Sequence, residues 1–71
     1  MKIYSFMTGY EHDGDVYNSY HTTKDGATKA MFKYVEKFVP NAKKETNRLG
    51  DTIFKNWDAT YYVDEIEVID D

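Results

Sequence analysis

Ala27-Thr28-Lys29-Ala30-Met31-Phe32-Lys33-Tyr34-Val35-Glu36-Lys37-Phe38 carries the clearest periodic signal in the chain. Ala27, Ala30, Met31, Tyr34, Val35 and Phe38 stand at i, i+3, i+4, i+7, i+8 and i+11, the spacing of one face of an α-helix. Lys29, Lys33, Glu36 and Lys37 fall on the opposite, solvated face, and Phe32 lies on the border between the two. An apolar stripe of this kind has to be buried. The tyrosine-rich segments on either side are the only candidates to cover it.

The helix has a start and a stop. Thr22-Thr23-Lys24-Asp25 supplies a hydroxyl that can accept from a free backbone N–H, and Asp25 meets the positive end of the helix dipole. Pro40 disfavours helical geometry in the residue before it, so the helix should end at Phe38 or Val39.

Before the helix, Lys2 to Gly9 alternates as a strand, with Tyr4 and Phe6 on one face and Ile3 and Met7 on the other. The polar run Glu11-His12-Asp13-Gly14-Asp15 is a turn, marked by Asp-Gly. Alternation resumes from Val16 to His21, with Val16 and Tyr20 expected on one side and Tyr17 and His21 on the other. Two such runs predict an antiparallel hairpin across a turn of five or six residues.

After the helix, Asn41 to Asp51 reads as a loop, with at most a helical turn, followed by a short strand near Ile53 to Trp57. Tyr61 to Ile69 is rich in aromatic and β-branched residues and reads as a terminal strand. Glu65 and Glu67 share the Val63/Ile69 face, which should therefore be wet. The order β-β-α-(β)-β predicts one α+β domain over residues 1–71. It has a small antiparallel sheet of three or four strands, with one amphipathic helix packed on one face.

Composition narrows the function. The chain has 71 residues and no cysteine, so neither a disulfide framework nor a thiolate metal site holds it together. A domain of this size buries a small core and gains from a partner. The N-terminal run Met1-Lys2-Ile3-Tyr4-Ser5-Phe6 is too short in apolar residues for a signal peptide, and no segment is long enough to span a bilayer. The expected location is the cytoplasm. Nine basic and thirteen acidic residues give a net charge of −4, which argues against nucleic-acid binding as the main activity. Lys43, Lys44 and Arg48 cluster mid-chain, whereas Asp64, Glu65, Glu67, Asp70 and Asp71 crowd the C-terminus. Seven Tyr, four Phe and one Trp are more rings than so small a core encloses, so several should lie at the surface or in an interface.

Catalytic motifs are lacking. Glu11, His12, Asp13 and Asp15, with His21, form the best candidate metal cluster, yet the calcium-loop pattern and a helical His pair are both absent. A solvated turn explains these residues, and no metal or cofactor is expected. Nucleophilic chemistry would need Ser5 or Ser19 beside His12 or His21 with an orienting acid, and no local motif joins them. The protein is not expected to be an enzyme. Tyr4, Tyr10, Tyr17, Tyr20, Tyr61 and Tyr62 could stack bases, but a positive groove to accompany them is missing.

Lys2-Ile3-Tyr4, the run Tyr17-Asn18-Ser19-Tyr20-His21-Thr22-Thr23-Lys24-Asp25-Gly26-Ala27, and Val63-Asp64-Glu65-Ile66-Glu67-Val68 form a pattern. It resembles small uncharacterised ββαβ accessory proteins common in bacteriophage genomes. There, too, a hairpin leads into a helix start and the chain closes on a Val-x-Glu-Ile-Glu strand. Asn41 to Thr60 has no counterpart in that pattern. The resemblance implies a protein that docks on a host protein, such as a restriction or CRISPR component, and inhibits or modulates it.

These readings converge on a non-catalytic protein-binding module. Its expected contacts are Tyr10, Tyr17, Phe32 and Trp57, together with the acidic set Asp64, Glu65 and Glu67. Exposed sheet edges and aromatics would equally serve a homodimer. The alternative is a small-ligand protein that stacks a nucleotide between tyrosines of such a dimer.

Overall fold

The computed structural model describes residues 1–69; the expected C-terminal acidic residues Asp70 and Asp71 lie outside them. Six elements follow in order: β1 (Lys2–Tyr10), β2 (Gly14–His21), α1 (Lys24–Phe38), β3 (Lys43–Thr46), β4 (Thr52–Asn56) and β5 (Ala59–Glu67). The strands form one antiparallel sheet in the order β2-β1-β5-β4-β3, with α1 packed on one face. The α+β class therefore stands, with five strands rather than three or four.

The helix forms where its signals place it. The Thr23 hydroxyl accepts from the Gly26 N–H at 3.0 Å, and the Val39 N–H closes the last turn on the Val35 carbonyl at 2.9 Å. Its stripe meets the sheet through Ala27, Met31 and Val35, all buried. Phe6, Phe54, Ala59 and Tyr61 complete the core from β1, β4 and β5. Met31 is fully enclosed, which contributes about 1.5–3 kcal/mol from burial. Tyr34 joins the layers, its ring 5.4 Å from Phe6 and 5.7 Å from Tyr61.

The extra strand is β3. It consists of Lys43-Lys44-Glu45-Thr46, with no apolar residue to announce it, and it is held by pairing with β4. Its turn is built from Asn47, whose side-chain oxygen accepts from the Leu49 and Asp51 N–H groups at 3.0 and 2.9 Å. Gly50 completes that turn at φ 84°, which is why it interrupts any helix through this region. Lys24 ties the loop to the start of α1 through an ion pair with Asp51 at 2.6 Å.

The first hairpin is tighter than expected. Tyr10 pairs with Gly14 across three residues, and Gly14 takes φ 80° to make the turn. Its strand β2 also departs from simple alternation. Phe6 faces Ser19 and Met7 faces Tyr17, so Asn18 is an extra residue in a β-bulge.

Candidate functional site

Residues directly opposed in an antiparallel ladder share a face, and alternate residues take opposite faces. Phe6 packs on α1, which puts Tyr4, Phe6, Thr8 and Tyr10 of β1 on the helix side. Ile3, Ser5, Met7 and Gly9 then point to the other face. No helix covers that face, and the most unusual features of the molecule lie on it.

Without a bulge, Tyr17 and Tyr20 would project from opposite faces of β2, as the alternation predicts. Asn18 shifts the period by one, so Tyr17 lies opposite Met7 and Tyr20 opposite Ser5, both on the uncovered face. Val16 and His21 go to the helix side, reversing the expected partnerships. The two rings stack, with centroids 5.6 Å apart and planes 20° from parallel. They remain 54% and 59% exposed. Asn18 is held by donating to the Thr8 hydroxyl at 2.7 Å, which satisfies a buried oxygen.

The floor beneath the rings is buried. Met7 lies between Tyr17 and Tyr62 in the register and Ser5 between Tyr20 and Asp64; both are buried. The Ser5 hydroxyl donates to the Ser19 carbonyl at 3.2 Å. Tyr62 and Asp15 converge over Gly9. A Cβ there would stand 3.0 Å from an Asp15 carboxylate oxygen and 3.4 Å from the Tyr62 ring, so the absence of a side chain makes their approach possible. Burial first, and then the charge and hydrogen bonding of Asp15, push the Tyr62 hydroxyl up to about 12.

The expected contact residues do not form one patch. Tyr17 and Asp64 belong to the uncovered face. Tyr10 is half-buried on the helix side against the core. Phe32 stands edge-on to Phe54 at 5.2 Å, beside a shallow groove of about 280 Å³ formed with Val35, Pro40, Ala42 and Lys44. Glu65 pairs with Lys2 at 2.8 Å, and Glu67 lies 3.8 Å from the N-terminal amine, both at the far end of β5. Trp57 sits alone at the tip of the β4–β5 turn, 97% exposed. A backbone bond from the Glu11 N–H to the Asp58 carbonyl, 2.8 Å, fixes that tip to the first hairpin turn.

No protein-family model, curated protein or solved structure matches this chain.

Tyr20 and Tyr62 are the face residues missing from the expected contacts. Tyr62 was legible as a strand tyrosine, but its approach to Asp15 depends on the cross-strand register. Tyr20 needed the bulge, which no apolar pattern marks. One chemical pairing does form: Ser19 and His21 lie 2.7 Å apart on the helix side. Among the described residues no carboxylate hydrogen-bonds to that imidazole, so the pair lacks the orienting acid of a nucleophilic triad. Glu11, His12, Asp13 and Asp15 are exposed, and no group of three or more His, Asp or Glu side chains comes together for a metal among the described residues. No helix of the described residues is long and apolar enough to cross a membrane.

Proposed function

We propose that the protein is a small non-catalytic binding module whose working surface is the uncovered face of its sheet. One observation carries this reading: two tyrosines, each more than half exposed, are stacked by a bulge over the buried Met7 and Ser5. Rigid, amphipathic rings on a flat sheet give a large contact area with little rotamer entropy to lose. As the object of that docking, the resemblance to phage accessory proteins offers a host protein, inhibited or modulated on contact.

The test is a Tyr17→Ala/Tyr20→Ala double variant. Both side chains lie outside the core, so the fold should survive, as read by circular dichroism. Capture of a stoichiometric protein from host lysate should be lost. A folded variant that captures the same protein as the wild type would remove the face from the argument.

A second reading draws on the same pair. Stacked rings leave their outer surfaces free to accept a base, so a nucleotide is the alternative ligand. A rise in melting temperature with a nucleotide panel, abolished by the double variant, would favour it.

A further inference from the structure

We infer that the uncovered face is occupied by a second copy of this chain, turned about a two-fold axis that runs along the strands through β5. The inference rests on the reading that this face docks protein and specifies which protein.

One row of residues links all five strands of the sheet. Asp15 is level with Gly9, Gly9 with Thr60, Thr60 with Lys55, and Lys55 with Lys43. Phe54 packs into the core beneath α1, so its neighbour Lys55, and Lys43 opposite, point to the uncovered face. The row therefore crosses all five strands with a carboxylate at one end and two lysines at the other. Lys43 and Lys55 are directly opposed, an arrangement of like charges that destabilises an isolated sheet. Among the described residues neither enters an ion pair.

A two-fold axis along the strands reverses the row while keeping each residue at its level. Because β5 is the middle strand, Thr60 then faces Thr60 of the other copy and Asp15 faces Lys43. Gly9 faces Lys55. Since Gly9 has no side chain and Asp15 leans over it, the long Lys55 side chain of one copy finds both space and a carboxylate in the other.

The neighbouring row agrees. It runs Tyr17, Met7, Tyr62, and by alternation Ile53 and Glu45 continue it on the same face. Reversed, it sets Met7 against Ile53 and brings the Glu45 carboxylate to the Tyr17 hydroxyl. Rotating instead about an axis across the strands would set β3 against β3 and bring the four lysines together. On these two rows charge selects the first arrangement, and its one like-charge contact is Asp64 of β5, which the axis sets against Asp64 of the other copy.

The reversed sheets overlap along all nine residues of β5 but only along the five of β4 and the four of β3, a flat footprint on the order of 450 Å² at ~4.8 Å strand spacing. That falls below the roughly 600 Å² per partner at the lower end of specific interfaces, so the dimer should be a weak one. Two such sheets pack in the aligned manner, about 10 Å apart.

The experiment measures mass by sedimentation equilibrium over a range of protein and salt concentrations. The wild type should be a dimer whose dissociation constant rises with salt. Lys43→Glu/Lys55→Glu and Asp15→Lys should each weaken self-association by about tenfold or more. Mixing these two variants should restore a dimer, since this row is then wholly acidic in one copy and wholly basic in the other. Restoration also shows that both variants fold. A wild type that stays monomeric throughout overturns the inference, as does a dimer indifferent to both variants. A monomeric wild type that still captures a host protein through Tyr17 and Tyr20 would leave the docking face standing and give it a different occupant. Loss of both behaviours would remove the face itself.

Discussion

Tyr17 and Tyr20, three positions apart on one strand, stack on the same face of the sheet because Asn18 between them is in excess of the ladder. The contact is made by backbone register rather than by the side chains seeking each other. It also has an anchor: the Asn18 amide donates to Thr8, whose side chain is 1% exposed.

Asn18→Ala should therefore act on both stability and geometry. Removing the amide leaves the Thr8 hydroxyl without its partner in a buried position, at a cost of about 1–3 kcal/mol. A denaturant titration measures that loss. The near-ultraviolet dichroism of the stacked tyrosines should fall with it, because the bulge loses its tether.

Tyr62 sets a limit at high pH. Its hydroxyl titrates near 10.0 in an unfolded chain and at about 12 in the folded one. Between these values the unfolded state has lost a proton that the folded state keeps, so unfolding releases a proton and stability falls as pH rises. The contribution is complete below about 10 and is gone above about 12. Tyrosinate absorbance against pH reads the titration, and the denaturation midpoint reads the linkage. Asp15→Asn should lower the Tyr62 value only in part, since burial is the larger cause.

Much of this architecture was readable from residue spacing. The α1 stripe was clear because a helix buried on one side repeats its signal over four turns, and Thr23 and Pro40 bracket it. β1 was clear because its two faces are both filled. β3 was hidden for the opposite reason: Lys43-Lys44-Glu45-Thr46 owes its conformation to hydrogen bonds with β4 and carries no buried apolar side chain. The faces of β2 were misassigned because a one-residue insertion in the register leaves no trace in composition. Tyr20 is absent from the expected contacts for that reason, whereas the expected acidic set rests on closeness in sequence, and Asp64 and Glu65, adjacent on β5, point to opposite sides.

Met31 and Phe32 adjoin in sequence but should respond very differently to truncation. Met31 is fully enclosed beneath α1, and Met31→Ala should cost about 2–5 kcal/mol through lost burial and the cavity left behind. In so small a domain that is a large part of the total. Phe32 is 37% exposed and contacts Phe54 along one edge, so Phe32→Ala should cost about 1 kcal/mol. Paired denaturation curves test the contrast, and equal losses would mean that α1 is rotated about its axis from the placement described.

Trp57 is the only tryptophan in the chain and is 97% exposed. Its indole is already in water when the protein is folded, so unfolding has little further to expose. Denaturation should then leave the emission maximum nearly unmoved while circular dichroism reports a full transition. Trp57→Ser should change stability by no more than about 0.5 kcal/mol. The proposed dimer covers the flat of the sheet and leaves the β4–β5 turn at its end, so self-association should not shift the emission either. A blue shift on adding a protein would mean that its contact reaches the turn, and a blue-shifted emission in the free protein would mean that Trp57 is covered by something other than solvent.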